Sequence, residues 1–184
     1  GIPKGTGSGT IISTTPEGGF VLTAAHVCLM SNQYEDIYVR DMKGGRSPSV
    51  IVRVDKKRDM CVLYVSELTG KAVTVAMMAP KAGDEVFSIS SPYGAESIGD
   101  GMVPVIRGTY GGKYTPSSVP DVVWDIYHLR IAPGSSGGMI VNRHGHMVGM
   151  THRVMILNGH IMNYTDLSMG VQYEDLKEFM KPYR

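Results

Sequence analysis

The 184-residue chain is predicted to be an all-β protein, built as barrels or a sandwich and closed by one C-terminal α-helix. Three observations predict this class. Short β-branched or aromatic runs recur along the chain, turn-forming clusters separate them, and helical periodicity is confined to the end. About a dozen short strands at such spacing suit a barrel or sandwich better than βαβ units.

The strands are read in order as "GTIIST", "GFVLTAA", "DIYVRDM", "SVIVRVD" and "MCVLYVS", then "EVFSIS", "MVPVIRGTY", "VVWDIYHLR", "GGMIVN" and "HMVGMTH". Turn residues punctuate them at "PEGG", "KGGRS", "KAGD", "SPYGA", "NRHGH" and "LNGH", where Gly, Pro, Asn and Asp supply the needed backbone angles. In "YEDLKEFMKPY", Leu176, Phe179 and Met180 fall on one stripe and acidic residues lead, as a helix N-terminus prefers. There is no repeat, low-complexity tract or interdomain linker. The expected division lies near "MAPKAGDE", giving residues 1–80 and 81–184.

Composition narrows the function. A formal net charge of +1 gives no electrostatic case for nucleic acid or a membrane surface. No apolar run approaches the ~20 residues that span a bilayer, and no signal peptide precedes "GIPKGTGSG". Gly1 in place of methionine fits a processed terminus. The 13 methionines are dispersed and read as packing filler. Two cysteines, Cys28 and Cys61, allow at most one internal disulfide.

Three residues in order carry the chemistry. "LTAAHVC" places His26 just after a strand, "KKRDMCVLYV" puts Asp59 at the entry of an apolar strand, and "APGSSGG" supplies a serine among glycines. Singly, each is an ordinary structural feature. Together they match a requirement: a serine hydroxyl needs an imidazole to take its proton, and the imidazole needs a carboxylate to fix its tautomer. Asp55 flanks the same basic turn, but Asp59 starts the apolar strand and is the better acid. The tetrahedral intermediate needs two N–H donors, which small residues present without obstruction. With Ser136 as nucleophile, Gly134 lies two residues before it. With Ser135, Pro133 would take that place, and proline has no N–H. Ser136 is the choice.

With these residues in place the chain resembles the trypsin-like serine proteases, most of all the HtrA/Deg branch. The likeness runs through "GTGSGTII", "GFVLTAAHV", "DMCVLYV", "KAGDEVFSISSPYG", "IRGTY", "APGSSGGMIVN" and "GHMVGM". It implies two six-stranded antiparallel β-barrels, chymotrypsin-like, with His26 and Asp59 from the first and Ser136 from the second. It also implies an oxyanion hole made by the N–H groups of Gly134 and Ser136, a polypeptide substrate, and no cofactor or metal.

The chain departs from the family pattern at several points. With the sequence ending at the helix, no PDZ domain is expected. Ser135 stands before the nucleophile where Asn or Asp is more familiar, and Cys28 sits beyond the histidine. The segment 30–48 is short for a regulatory loop, which leaves the oligomeric state open. The resemblance places the specificity pocket among Arg130 to Pro133, Thr151, His152 and the stretch around Gly170. With no acid in these stretches, cleavage after Lys or Arg is expected to be poor. An inward Arg130 would favour an acidic or amide side chain; an outward one would favour small aliphatic residues, and the outward case is preferred.

A viral or phage-encoded polyprotein-processing protease of the same fold is the alternative, and a catalytically inactive binding module the remote one. The compartment stays open, with secreted or periplasmic ahead of virus-associated. A metal site on His144 and His146 lacks a third ligand and reads as a solvated turn. "NYT" at 163–165 fits a glycosylation sequon. The spacing brings Cys28 and Cys61 into one neighbourhood. A bridge is allowed there, and two buried thiols are the plainer reading.

Overall fold

The structure is a computed structural model; it describes residues 5–30, 36–42, 45–91, 103–157, 160–161 and 166–184. The sequon at 163–165, the "SPYGA" turn beyond Ser91 and parts of the 30–48 segment lie outside the described residues. The first half forms β1 (Thr10–Thr15), β2 (Gly18–Thr23), α1 (Ala25–Cys28), β3 (Ile37–Arg40), β4 (Arg46–Asp55) and β5 (Met60–Val65). These strands make a five-stranded sheet in the order β1-β2-β5-β4-β3. β5 is its centre, "MCVLYV", buried at every position but Tyr64, as an apolar strand covered on both faces must be.

The second half forms β6 (Glu85–Ile89), β7 (Val105–Tyr114), β8 (Trp124–His128), β9 (Met139–Asn142), β10 (Met147–Val154) and β13 (Leu167–Val171). They close into a six-stranded barrel, β10-β13-β8-β7-β6-β9. A small hairpin of β11 (Ile156–Leu157) and β12 (His160–Ile161) leads into β13. The second barrel is therefore closed, as expected. The first is an open five-stranded sheet among the described residues, where the resemblance implied six strands.

One core joins the halves. Ile12, Leu22, Ala24, Met60 and Val62 pack in the same cluster as Val86, Tyr127, Ile140, Met150 and Leu176. The connection between β5 and β6 runs across both halves: Val73 N–H donates to the Ile11 carbonyl, and Ala76 N–H to that of Met147, each at 2.9 Å. Helix α2 (Tyr173–Met180) buries Tyr173, Leu176, Phe179 and Met180 and starts with Glu174 and Asp175 in its first turn. It clasps the barrel, where Tyr173 N–H donates to the fully buried Asp125 at 3.2 Å. It also clasps the first sheet, where the Arg53 guanidinium lies 4.3 Å over the Phe179 ring.

Cys28 and Cys61 form a disulfide. The plainer sequence reading, two separate thiols, is overturned because α1 packs directly on β5. The bridge ties the element carrying His26 to the strand that follows Asp59.

Candidate active site

His26 lies on α1, a single helical turn that begins where β2 ends. Asp59 is the last residue of the β4–β5 turn and has φ +60°, a left-handed conformation that Asp tolerates better than most side chains. Asp55 serves that turn by accepting the Arg58 N–H at 3.0 Å, which leaves Asp59 to face α1. There Asp59 Oδ1 accepts the backbone N–H of His26 at 2.9 Å, and its Oδ2 lies 2.7 Å from His26 Nδ1. The two contacts fix both the position of α1 and the plane of the ring.

Asp59 is 5% exposed. Burial pushes its carboxyl up, but hydrogen bonds from His152 and His26 outweigh that and hold it well below the usual carboxylate range. An ionised carboxylate is acceptor-only, so the facing Nδ1 atoms carry their protons and His26 presents Nε2 as its basic atom.

His152 also binds Asp59. Its Nδ1 lies 2.5 Å from the same Oδ2, its ring stacks on Trp124 at 4.1 Å and 6°, and it is 4% exposed. The sequence placed His152 on a strand lining the specificity pocket. The structure turns its side chain to the acid, a pairing that its distance of 93 positions from Asp59 concealed. The donor atoms of His26, Asp59 and His152 lie within 4.8 Å of one another. Both contacts to Asp59 are nonetheless at hydrogen-bond spacing, shorter than the roughly 3.3 Å that ligands of one tetrahedral zinc keep.

Ser136 lies in the loop between β8 and β9. Its Oγ donates to the carbonyl of His152 at 3.1 Å. Ser135 is 2% exposed, and its Oγ accepts the Ala132 N–H at 3.2 Å, so this neighbour is tied up inside the loop. Gly138 N–H donates to the Ser135 carbonyl at 3.0 Å. Because a trans peptide points its C=O and N–H opposite ways, that bond turns the Ser136 N–H outward. Among the described residues neither Gly134 N–H nor Ser136 N–H meets an acceptor. Gly134 and Gly137 have φ +93° and +87°, and a Cβ on Gly137 would lie 2.2 Å from the Ser8 carbonyl oxygen. Only glycine fits there.

Ser8 is the residue that sequence reasoning passed over. Its N–H donates to the Ser136 carbonyl at 2.8 Å, and its Oγ donates to the Gly134 carbonyl at 2.7 Å. The same oxygen accepts the Ser91 N–H at 2.8 Å, while the Ser8 carbonyl accepts the Thr23 hydroxyl at 2.7 Å. "GTGSG" reads as a loose glycine turn, yet its serine bonds to the carbonyls of both Gly134 and Ser136.

The other pocket residues are spread out. Arg130 is 79% exposed and pairs with Asp166 at 3.2 Å. Thr151 is buried, and its hydroxyl meets no partner among the described residues. Gly170 pairs with Thr151 across the sheet, and a Cβ there would lie 2.8 Å from the Tyr127 ring. A hollow beside His26 is lined by Leu29, Lys56, Lys57, Trp124, His152 and Arg153. His144 and His146 belong to the β9–β10 turn, where Asn142 Oδ1 accepts both of their N–H groups.

Against known proteins, the profile of the trypsin-like peptidase domain matches residues 7–150. A protein of Hahella chejuensis named as a DegP-like periplasmic serine endoprotease is 30% identical over 162 residues, 86% of this chain and 32% of its own length. A protein of the same name from Halomonas elongata is 30% identical over 168 residues, 90% of this chain and 32% of its own. The chain thus spans about a third of these relatives. Among solved structures, the serine endoprotease from Yersinia pestis superposes with a TM-score of 0.74 at 23% identity, covering 98% of this chain and 58% of that one.

Proposed function

Because the chain belongs to the trypsin-like peptidase family, we propose that it is a serine endopeptidase acting through Ser136, His26 and Asp59. The half spanning residues 1–80 supplies the base and the acid, and the half spanning 81–184 the nucleophile. The observation that carries this reading is the doubly bonded pair: His26 is held by ring and backbone on one buried carboxylate.

These three roles make a complete reaction cycle. Ser136 Oγ attacks the scissile carbonyl carbon while His26 Nε2 takes its proton, and the carbonyl oxygen becomes an anion facing the N–H groups of Gly134 and Ser136. Collapse breaks the C–N bond, His26 returns the proton to the departing amine, and an acyl ester remains on Ser136. Water then repeats the sequence, releasing the acid and restoring the hydroxyl. Oriented donors at the developing oxyanion supply much of the rate. In the resting structure the hydroxyl rests on the His152 carbonyl; such serine–imidazole contacts are often loose before substrate binds, and a change of χ1 rotamer re-aims the oxygen.

The substrate is a polypeptide. Arg130 lies outward and paired with Asp166, which supports a shallow pocket for small aliphatic side chains and poor cleavage after Lys or Arg. The relatives' names include the periplasm, and the Cys28–Cys61 disulfide suits an oxidising compartment. Both support a periplasmic or secreted location. Among the described residues no helix is long and apolar enough to cross a membrane.

The test is direct. Ser136→Ala should abolish peptide hydrolysis, a loss on the order of 10⁶ in kcat, while Ser135→Ala retains most of it. A fluorophosphonate should label Ser136. Labelling of Ser135, or of neither serine, would refute the assignment.

A further inference from the structure

We propose that His152 is a positioning residue that acts through Asp59, holding the carboxylate with a second imidazole N–H so that one acid anchors two rings. The proposal rests on the peptidase reading above, for which Asp59 must be held still.

Three independent features converge on residue 152. The first is the backbone. β10 pairs with β13 as Thr151 with Gly170 and then Arg153 with Met169, so His152 is the extra residue of a β-bulge. A bulge breaks the alternation of a strand and re-aims a side chain. Here His152 is the last buried residue of the strand, aimed at Asp59, and Arg153 after it is exposed.

The second is the ring's setting. His152 lies flat on Trp124 and presents an edge to His26, with centroids 6.0 Å apart and planes at 73°. Stacking fixes the ring plane, and the 2.5 Å contact with Asp59 Oδ2 fixes the rotation within it. Since the ionised acid only accepts, His152 is held as the Nδ1–H tautomer.

The third is the main chain. The carbonyl of the same residue accepts the Ser136 hydroxyl. One residue thus touches the acid through its side chain and the nucleophile through its backbone, and a shift of β10 would disturb both. Without His152, Asp59 Oδ2 would keep the His26 ring as its partner but lose the donor on its other flank. The carboxylate would then be held from the His26 side alone, by two contacts in place of three, and would orient the His26 ring less firmly.

Packing alone would be satisfied by any flat ring, so the decisive comparison is His152→Phe with His152→Asn in the full chain. Phenylalanine keeps the stack and removes the donor. Asparagine places an amide N–H near the Nδ1 position. With a peptide cleaved by the wild type, H152F should lower kcat about 10–100-fold, as loss of an orienting partner does. KM should stay within about 3-fold, and H152N should recover most of the rate. Full kcat in H152F, or equal loss in both variants, would overturn the proposal.

A second measurement does not depend on either variant folding. In wild-type protein with ¹⁵N-labelled histidines, proton NMR should show two strongly downfield Nδ1–H resonances. His26→Ala should remove one and H152F the other. A single such resonance in the wild type, lost with His26, would also overturn the proposal. If fluorophosphonate fails to label wild-type Ser136, the peptidase reading falls and the kinetic role of His152 with it. The pair of resonances would then still report the His152–Asp59 bond itself, which separates the two failures.

Discussion

Asp59 and Asp55 stand four positions apart on one turn, yet the structure gives them different tasks. Asp55 closes the turn by accepting from Arg58, and Asp59 receives His26 twice. Asp59→Asn should therefore lower kcat by about 10⁴, because an amide cannot hold the imidazole in the same tautomer. Asp55→Asn should cost only a little stability. Steady-state kinetics on the two variants checks the assignment, and the reverse ranking would overturn it. Ser8 makes a subtler claim. Ser8→Ala removes the hydroxyl that fixes the Gly134 carbonyl but keeps the backbone bond to Ser136. We expect roughly a tenfold fall in kcat with KM little changed, since slight misplacement of the reacting groups is enough to slow the chemistry. Rescue by Ser8→Thr would separate a lost hydroxyl from a lost turn.

At the scale of elements, the readable parts of the sequence were those whose local chemistry agrees with their final setting. The ten runs named as strands correspond in order to β1 through β10, because each combines β-branched residues with a flanking turn. The helix was equally clear, since its apolar stripe is the face that packs. β13 was not seen. "LSMGV" has no alternation because Ser168 through Val171 are all buried, and it contains a glycine where Tyr127 leaves no room for a side chain. Neither fact is visible locally. His26 and Asp59 are legible as a pair for the same reason, through spacing and turn chemistry, and the structure joins them. His152 was misplaced because a bulge, invisible in sequence, sends it to Asp59. The disulfide belongs at this scale too. Its two cysteines are 33 positions apart, so chain entropy assigns it roughly 2–4 kcal/mol of stability. A Cys28→Ser/Cys61→Ser variant should unfold at correspondingly lower denaturant. Alkylation of the unfolded protein should add mass only after reduction, and intact-mass measurement checks this.

For the whole molecule, the site's two buried titrating groups make stability depend on pH in one direction. Burial lowers the affinity of His152 for a proton, and Asp59 only partly restores it, with Arg153 and His26 opposing, so its folded value lies below the ordinary 6.5. The unfolded chain then takes up the proton first. The contribution of His152 is complete above about pH 6.5 and is lost as pH falls through the folded value. Asp59, also depressed on folding, loses its contribution at still lower pH. Resistance to denaturant should therefore fall as pH drops below about 6.5, and H152F should flatten the upper part of that decline. An unchanged slope in H152F would mean that other groups carry it.

The brace at Ser8 joins residues 126 positions apart, and this separation sets a timetable. During synthesis His26 and Asp59 emerge well before the loop of Ser136, and that loop is braced only when it returns to a segment made long before. On the peptidase reading, a chain still being made would therefore have the acid and the base but no formed anion site, and would not yet cleave a peptide bond. Competence would arrive last and abruptly. In refolding experiments, fluorescence of the lone Trp124 should settle as the barrel forms, and fluorophosphonate reactivity should appear only afterward. Reactivity that rises ahead of the fluorescence change would contradict this order. On the peptidase reading, the onset of activity would then be set by the return of this loop to Ser8.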